Sequence, residues 1–128
     1  MERLTYLDTH AVVWLYAGEL SLFPPGVLDL LSETTLMISP IVLLELQYLF
    51  EIGRIKAHPE KIFQSLEKSI GLKSCSIEFQ KVVRGSLKQT GARDPFDRLI
   101  VSQAMIAKAA LITKDEEILK NYSAAVWR

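Results

Sequence analysis

Residues 3–17, RLTYLDTHAVVWLYA, change periodicity in the middle. RLTYLD is a short β-type run, and from Thr9 the segment THAVVWLYA takes up helical periodicity. The same succession recurs along the chain: TLMIS before PIVLLELQYLFEIGR, LKSCSI before EFQKVVRGSLKQ, and ALIT before KDEEILKNY, with AAVW closing the series. Strands alternating with helices predict an α/β fold, a three-layer α/β/α arrangement around a mostly parallel central sheet of about five strands, with an extra helix around 59–69. In such sheets ligands bind beyond the carboxyl ends of the strands, near the point where strand order reverses. Residues just after strands therefore carry most of the functional weight.

The chain has 128 residues, the size of a single domain spanning 1–128. Fifteen basic and fifteen acidic residues cancel, so no global field draws in polyanions and any nucleic-acid contact must come from a local patch. Cys75 is the single cysteine, which excludes an internal disulfide and fits a reducing compartment; it reads as a small apolar core residue. MERLTYLDTH has no long apolar stretch, and no later run approaches the roughly 20 apolar residues of a membrane helix. These features predict a soluble, cytoplasmic protein without membrane contact.

Three carboxylates can converge there. Asp8 ends the first strand, Asp115 stands two residues beyond ALIT, and Asp97 opens the helix leading into that strand. Each also has a local explanation. Asp8 caps the next helix unless Thr9 does so, and Asp115 suffices to cap EEILKNY. In ARDPFDRLIVSQA, residues 92–104, Asp94 is a favoured N-cap, Pro95 fits the first helical position, and Asp97 complements the positive helix end. Asp97 nevertheless shares a helix face with Ile100, Val101 and Ala104, which places its carboxylate beside packed apolar side chains. Glu45 is harder to assign to structure, because Ile41, Val42, Tyr48 and Leu49 surround it on an otherwise core-facing stripe. A buried carboxylate needs compensation; a salt bridge is the structural option, and that helix offers no cation before Arg54.

YLDTHAVVWL, SPIVLLELQYLFEIGRI, RDPFDRLIVSQA and ALITKDEEIL, in this order over nearly the whole chain, resemble the PIN-domain ribonucleases, specifically the VapC-like toxins of type II toxin–antitoxin pairs. One departure is Ala92, where relatives often have His before RDPFDR. The resemblance implies a PIN-like parallel sheet with flanking helices and an acidic pocket for one or two Mg²⁺ or Mn²⁺ ions. It makes Asp8 and Asp97 principal metal ligands, Glu45 a ligand or a base orienting water, and Asp115 an outer or second-ion ligand. Asp94 is the fifth, a helix cap that would act through a water. The implied activity is metal-dependent endoribonuclease cleavage, and the implied partners are RNA, a VapB-like antitoxin and a second copy in a homodimer. The competing reading is a PIN-like scaffold that binds RNA or a protein without cutting, its acids serving structural pairing.

Thr9 and Thr113 flank the acids and can support them by hydrogen bonds, or serve only as local caps. Lys81, Arg84 and Lys88 recur along one face of the EFQKVVRGSLKQ helix, with Arg93 and Arg98 beyond. RNA phosphates need such a strip, although a solvated helix face produces the same pattern. His10 reads as a packed or surface histidine at a helix start, Trp14 as a core residue, and His58 and Trp127 carry no signal. A receiver-like domain lacks its acidic pair here, and a haloacid-dehalogenase-like site lacks the second acid in DTHAV.

Overall fold

The computed structural model describes residues 2–89 and 93–128. Strand β1 (Leu4–Leu7) leads into α1 (Thr9–Tyr16), a 3-10 turn (Leu20–Leu22), α2 (Pro25–Glu33) and β2 (Thr35–Ile38). Helices α3 (Ile41–Glu51) and α4 (Pro59–Ile70) precede β3 (Lys73–Ser74), and α5 (Phe79–Ser86) and α6 (Pro95–Ile106) precede β4 (Ala110–Ile112). Helix α7 (Glu116–Asn121) and β5 (Ala125–Val126) complete the chain. Among the described residues the sheet has the order β3-β2-β1-β4-β5 with every pairing parallel.

Strand β1 lies at the centre, with Tyr6 aligned on Met37 of β2 and Leu111 of β4. Thr5, Tyr6 and Leu7 are all buried. Successive strand residues point to opposite faces, so burial of all three requires cover on both sides of the sheet. The chain moves outward through β2 and β3, then returns past β1 to β4. The order therefore reverses between β1 and β4, and their carboxyl ends mark the crevice where such sheets bind ligands.

The LKSCSI segment forms less strand than its sequence predicts. Only Lys73 and Ser74 pair in register with β2; the Cys75 amide adds one bond of 2.8 Å to the Ile38 carbonyl before the chain leaves for α5. Cys75 is buried as expected and accepts the Tyr6 hydroxyl at 2.9 Å. The predicted extra helix runs to Ile70 and ends at Gly71, whose φ of 70° is a left-handed conformation that glycine adopts without strain. Ala92 lies outside the described residues.

Helices α5 and α6 approach closely at Gly85. A Cβ there would stand 2.5 Å from Ser102 Oγ, which is buried and donates to the Val82 carbonyl at 2.7 Å. We expect Gly85→Ala to destabilise the fold by about 1–3 kcal/mol in urea unfolding, the usual range for overpacking. Adding Ser102→Ala removes the clashing oxygen, so the double variant should lose less than the two single losses summed.

Candidate active site

The acids reach one place because the elements carrying them converge at the β1–β4 crevice. Asp8 follows β1 directly and is itself the N-cap of α1, its Oδ1 accepting the Ala11 amide at 2.9 Å. Thr9 is thereby released from capping, and its hydroxyl donates to Glu45 Oε1 at 2.5 Å across the contact between α1 and α3. This bond offsets part of the burial of Glu45, which sits between Val42 and Leu46, both fully buried. Asp94 caps α6 by accepting the Asp97 amide at 3.1 Å, which sets Asp97 in the first helical turn. Beyond β4, Asp115 caps α7 through the Ile118 amide at 3.0 Å, and its own amide donates to the buried Thr113 hydroxyl at 3.1 Å.

Asp8, Glu45, Asp94, Asp97 and Asp115 line one open depression of about 410 Å³, together with His10, Trp14 and Lys114. A narrower groove of about 280 Å³ near Pro40, Phe79 and Leu99 is mainly apolar and carries no acid or base. The depression at the strand ends gathers five carboxylates.

The carboxylates feel one another. Burial, reinforced by Asp94, Glu45, Asp115 and Asp8, pushes Asp97 from the ordinary aspartate range up to about 7. Asp8 is also raised, first by burial; the Thr113 hydroxyl, the Ala11 amide and His10 oppose that shift, and Asp115 adds to it. Glu45 is raised by burial, with the Thr9 hydroxyl and His10 opposing and Asp94 and Asp8 reinforcing. Buried acids that raise each other hold protons unless a cation replaces them.

The carboxylates do not close into a cage: among the described residues no three His, Cys, Asp or Glu side chains form a ready cation cluster. The donor set still fits a hard divalent ion. Mg²⁺ keeps several waters and takes only one or two protein carboxylates directly, so an all-oxygen rim around a wet depression suits it better than a soft metal. Three of the five acids spend Oδ1 on a helix cap, and each carboxylate has a second oxygen.

The remaining sequence-selected residues are placed differently. Lys81, Arg84, Lys88 and Arg93 are exposed. Arg98 is half-buried, and its Nη2 donates to the Ser86 and Gln89 carbonyls, both at 3.0 Å. Its guanidinium is committed to the end of α5, where helix carbonyls lack intrahelical donors. Trp14 packs on the core as its helix stripe implied, but it also lines the depression. Lys114, beside Asp115, was not among the residues chosen from sequence, although its position just after a strand end was the available signal. His10 is exposed and borders the acids.

A parallel sheet whose order reverses at a crevice ringed by helix-borne carboxylates defines an α/β protein with an acidic site. The chain belongs to the PIN domain family, whose sequence signature matches residues 5–124; members of that family are nucleases. Comparison with curated proteins returns no match. Among solved structures, the fold is similar to VapBC2 of Rickettsia felis bound to a DNA fragment from its promoter, at 22% identity and a TM-score of 0.69, covering 98% of this chain and 99% of that one. It is also similar to VapBC-1 of nontypeable Haemophilus influenzae, at 18% identity and a TM-score of 0.63, covering 98% and 96%. DNA-bound VapBC of Salmonella typhimurium gives 19% identity and a TM-score of 0.62, covering 95% and 94%.

Proposed function

We propose that this chain is a Mg²⁺- or Mn²⁺-dependent endoribonuclease, the VapC-like toxin of a toxin–antitoxin pair acting on cytoplasmic RNA. The observation that carries the reading is the meeting of five carboxylates at the β1–β4 crevice, two of them, Glu45 and Asp97, half-buried and raised by burial and by their acidic neighbours.

Asp8 and Asp97 are the principal ligands in this reading, Asp115 an outer one, and Asp94 a cap that holds a water. When bound, one or two divalent ions supply Lewis acidity, making water a better nucleophile and neutralising charge that builds on the phosphoryl group. Glu45, oriented by Thr9, takes the proton of the attacking water or aligns that water. Thr113 steadies Asp8 and the turn into α7. No side-chain nucleophile is needed. Lys81, Arg84, Lys88 and Arg93 guide the phosphate backbone by exposed positive charge, with Arg98 serving mainly to tie α5 to α6.

A VapB-like antitoxin and a second copy of the chain are the proposed protein partners. Support comes from exposed apolar side chains, Leu28 on α2, Leu44 and Tyr48 on α3 and Ile52 at the end of α3, and from relatives in fold whose names pair two proteins. Among the described residues no helix is long and apolar enough to cross a membrane. The scaffold alternative draws on one specific observation: Asp8, Asp94 and Asp115 each already have a capping role.

Cleavage of labelled total RNA by antitoxin-free protein, with Mg²⁺ or Mn²⁺ against EDTA, tests the nuclease. The expected result is discrete products that require metal and disappear in Asp8→Asn. Products that persist in EDTA or in Asp8→Asn would contradict it.

A further inference from the structure

The aromatic rim of the depression has a feature that the acid site does not use. Trp14 is held from behind by Trp127 and Phe23, at ring-centroid separations of 5.7 and 6.1 Å. Those two rings also pack on each other at 5.6 Å. On the depression side, His10 lies 6.1 Å from Trp14 at a tilt of 44°, and Lys114 Nζ lies 5.9 Å from the Trp14 ring centroid. Packing with Phe23 and Trp127 explains the inner half of Trp14; it does not explain an indole, an imidazole and an ammonium lining the same open depression as five acids.

A polyanion entering that depression meets five carboxylates. Among the described residues that line it, Lys114 is the single lysine or arginine. Its ammonium lies beside the ring, within cation–π range, where it can meet a phosphate while the ring meets a base. An aromatic face fixed by its neighbours binds any base with little ordering cost, which is how single-stranded nucleic acid is held without sequence readout.

We propose that Trp14, His10 and Lys114 form a nucleotide subsite at the border of the acid site, with a base of single-stranded RNA packed on the aromatic surface that Trp14 and His10 present to the depression and its phosphate paired to Lys114. The proposal rests on the ribonuclease reading and adds positioning residues to it.

The test is equilibrium binding, in Mg²⁺, of a phosphorothioate-linked single-stranded RNA and of the same backbone carrying abasic sites, with melting temperatures recorded for every variant. Wild-type protein should prefer the base-bearing strand by about tenfold, within the range of one stacked base. Trp14→Leu should abolish that preference and Trp14→Phe should keep part of it. Lys114→Gln should weaken both strands, and Lys81→Gln on α5 should weaken both without altering the preference. A folded Trp14→Leu protein that keeps the preference overturns the subsite, as does a Lys114→Gln protein that binds both strands like wild type. If Trp14→Leu fails to fold, Trp14→Phe and Lys114→Gln decide the matter. Wild-type protein that cleaves RNA but shows no base preference overturns the subsite alone; protein that neither binds nor cleaves RNA overturns the ribonuclease reading and the subsite together.

Discussion

Asp97→Asn is expected to abolish metal-dependent cleavage and, in the same protein, to raise the melting temperature of the ion-free form at pH 8. The two effects have one cause. Asp97 is half-buried, and desolvation, reinforced by Asp94, Glu45, Asp115 and Asp8, raises it to about 7. At pH 8 its ionised form is an unfavourable charge that folding must accommodate, and a neutral amide removes that charge without removing the volume. The same carboxylate is a proposed metal ligand, so activity should fall by at least about 100-fold, the upper end of what even indirect supports of a metal site cost. At pH 5 Asp97 is already protonated, and the stability gain should shrink. Asp94→Asn separates capping from ligation, because Asn caps a helix as well as Asp does. Its activity loss should be the smaller, and a larger loss at Asp94 than at Asp97 would reverse the two assignments.

The second large effect is a pH dependence that divalent ions cancel. Asp97, Asp8 and Glu45 all have folded-state pKa values above their ordinary ones, so the folded protein binds their protons more tightly than the unfolded chain does. Their contribution to stability is complete below the ordinary carboxylate range and is lost as pH rises through the folded-state values, for Asp97 up to about 7. Ion-free protein should therefore melt at progressively lower temperature between about pH 4 and pH 8. Mn²⁺ or Mg²⁺ competes with those protons, and binding to the folded state alone stabilises it by about 2.7 kcal/mol at about a hundred times Kd. The melting temperature should thus rise with metal by several degrees at pH 8 and by much less at pH 5. A set of independent helix caps would show neither the decline nor its reversal by metal.

Much of this arrangement was legible in the sequence because it is local. RLTYLD followed by THAVVWLYA fixes a strand–helix unit by periodicity, and Asp8 falls at the joint. Asp94 and Pro95 mark the start of α6 by capping chemistry, observed as the bond from Asp94 to the Asp97 amide. Glu45 stood out because one carboxylate interrupts an apolar stripe. Its partner did not, since Thr9 lies 36 residues away and reaches it only when α1 packs on α3. The short β3 was hidden for a related reason: strand length depends on what pairs with it, and LKSCSI leaves β2 after two paired residues. Arg98 looked like part of a basic strip, but the carbonyls that hold it belong to the end of another helix. Trp14 shows the limit of periodicity most clearly, because a helical stripe identifies a core-facing ring and says nothing about an edge that also borders a site.

Mn²⁺ binding followed by electron paramagnetic resonance, on wild-type protein and on Asp8→Asn, tests most directly that the strand-end acids serve a metal. Saturable loss of the free Mn²⁺ signal at one or two ions per chain is expected, with greatly weakened uptake in Asp8→Asn. Equal uptake by both proteins, or none by wild type, would mean that these carboxylates cap helices and do not form a metal site.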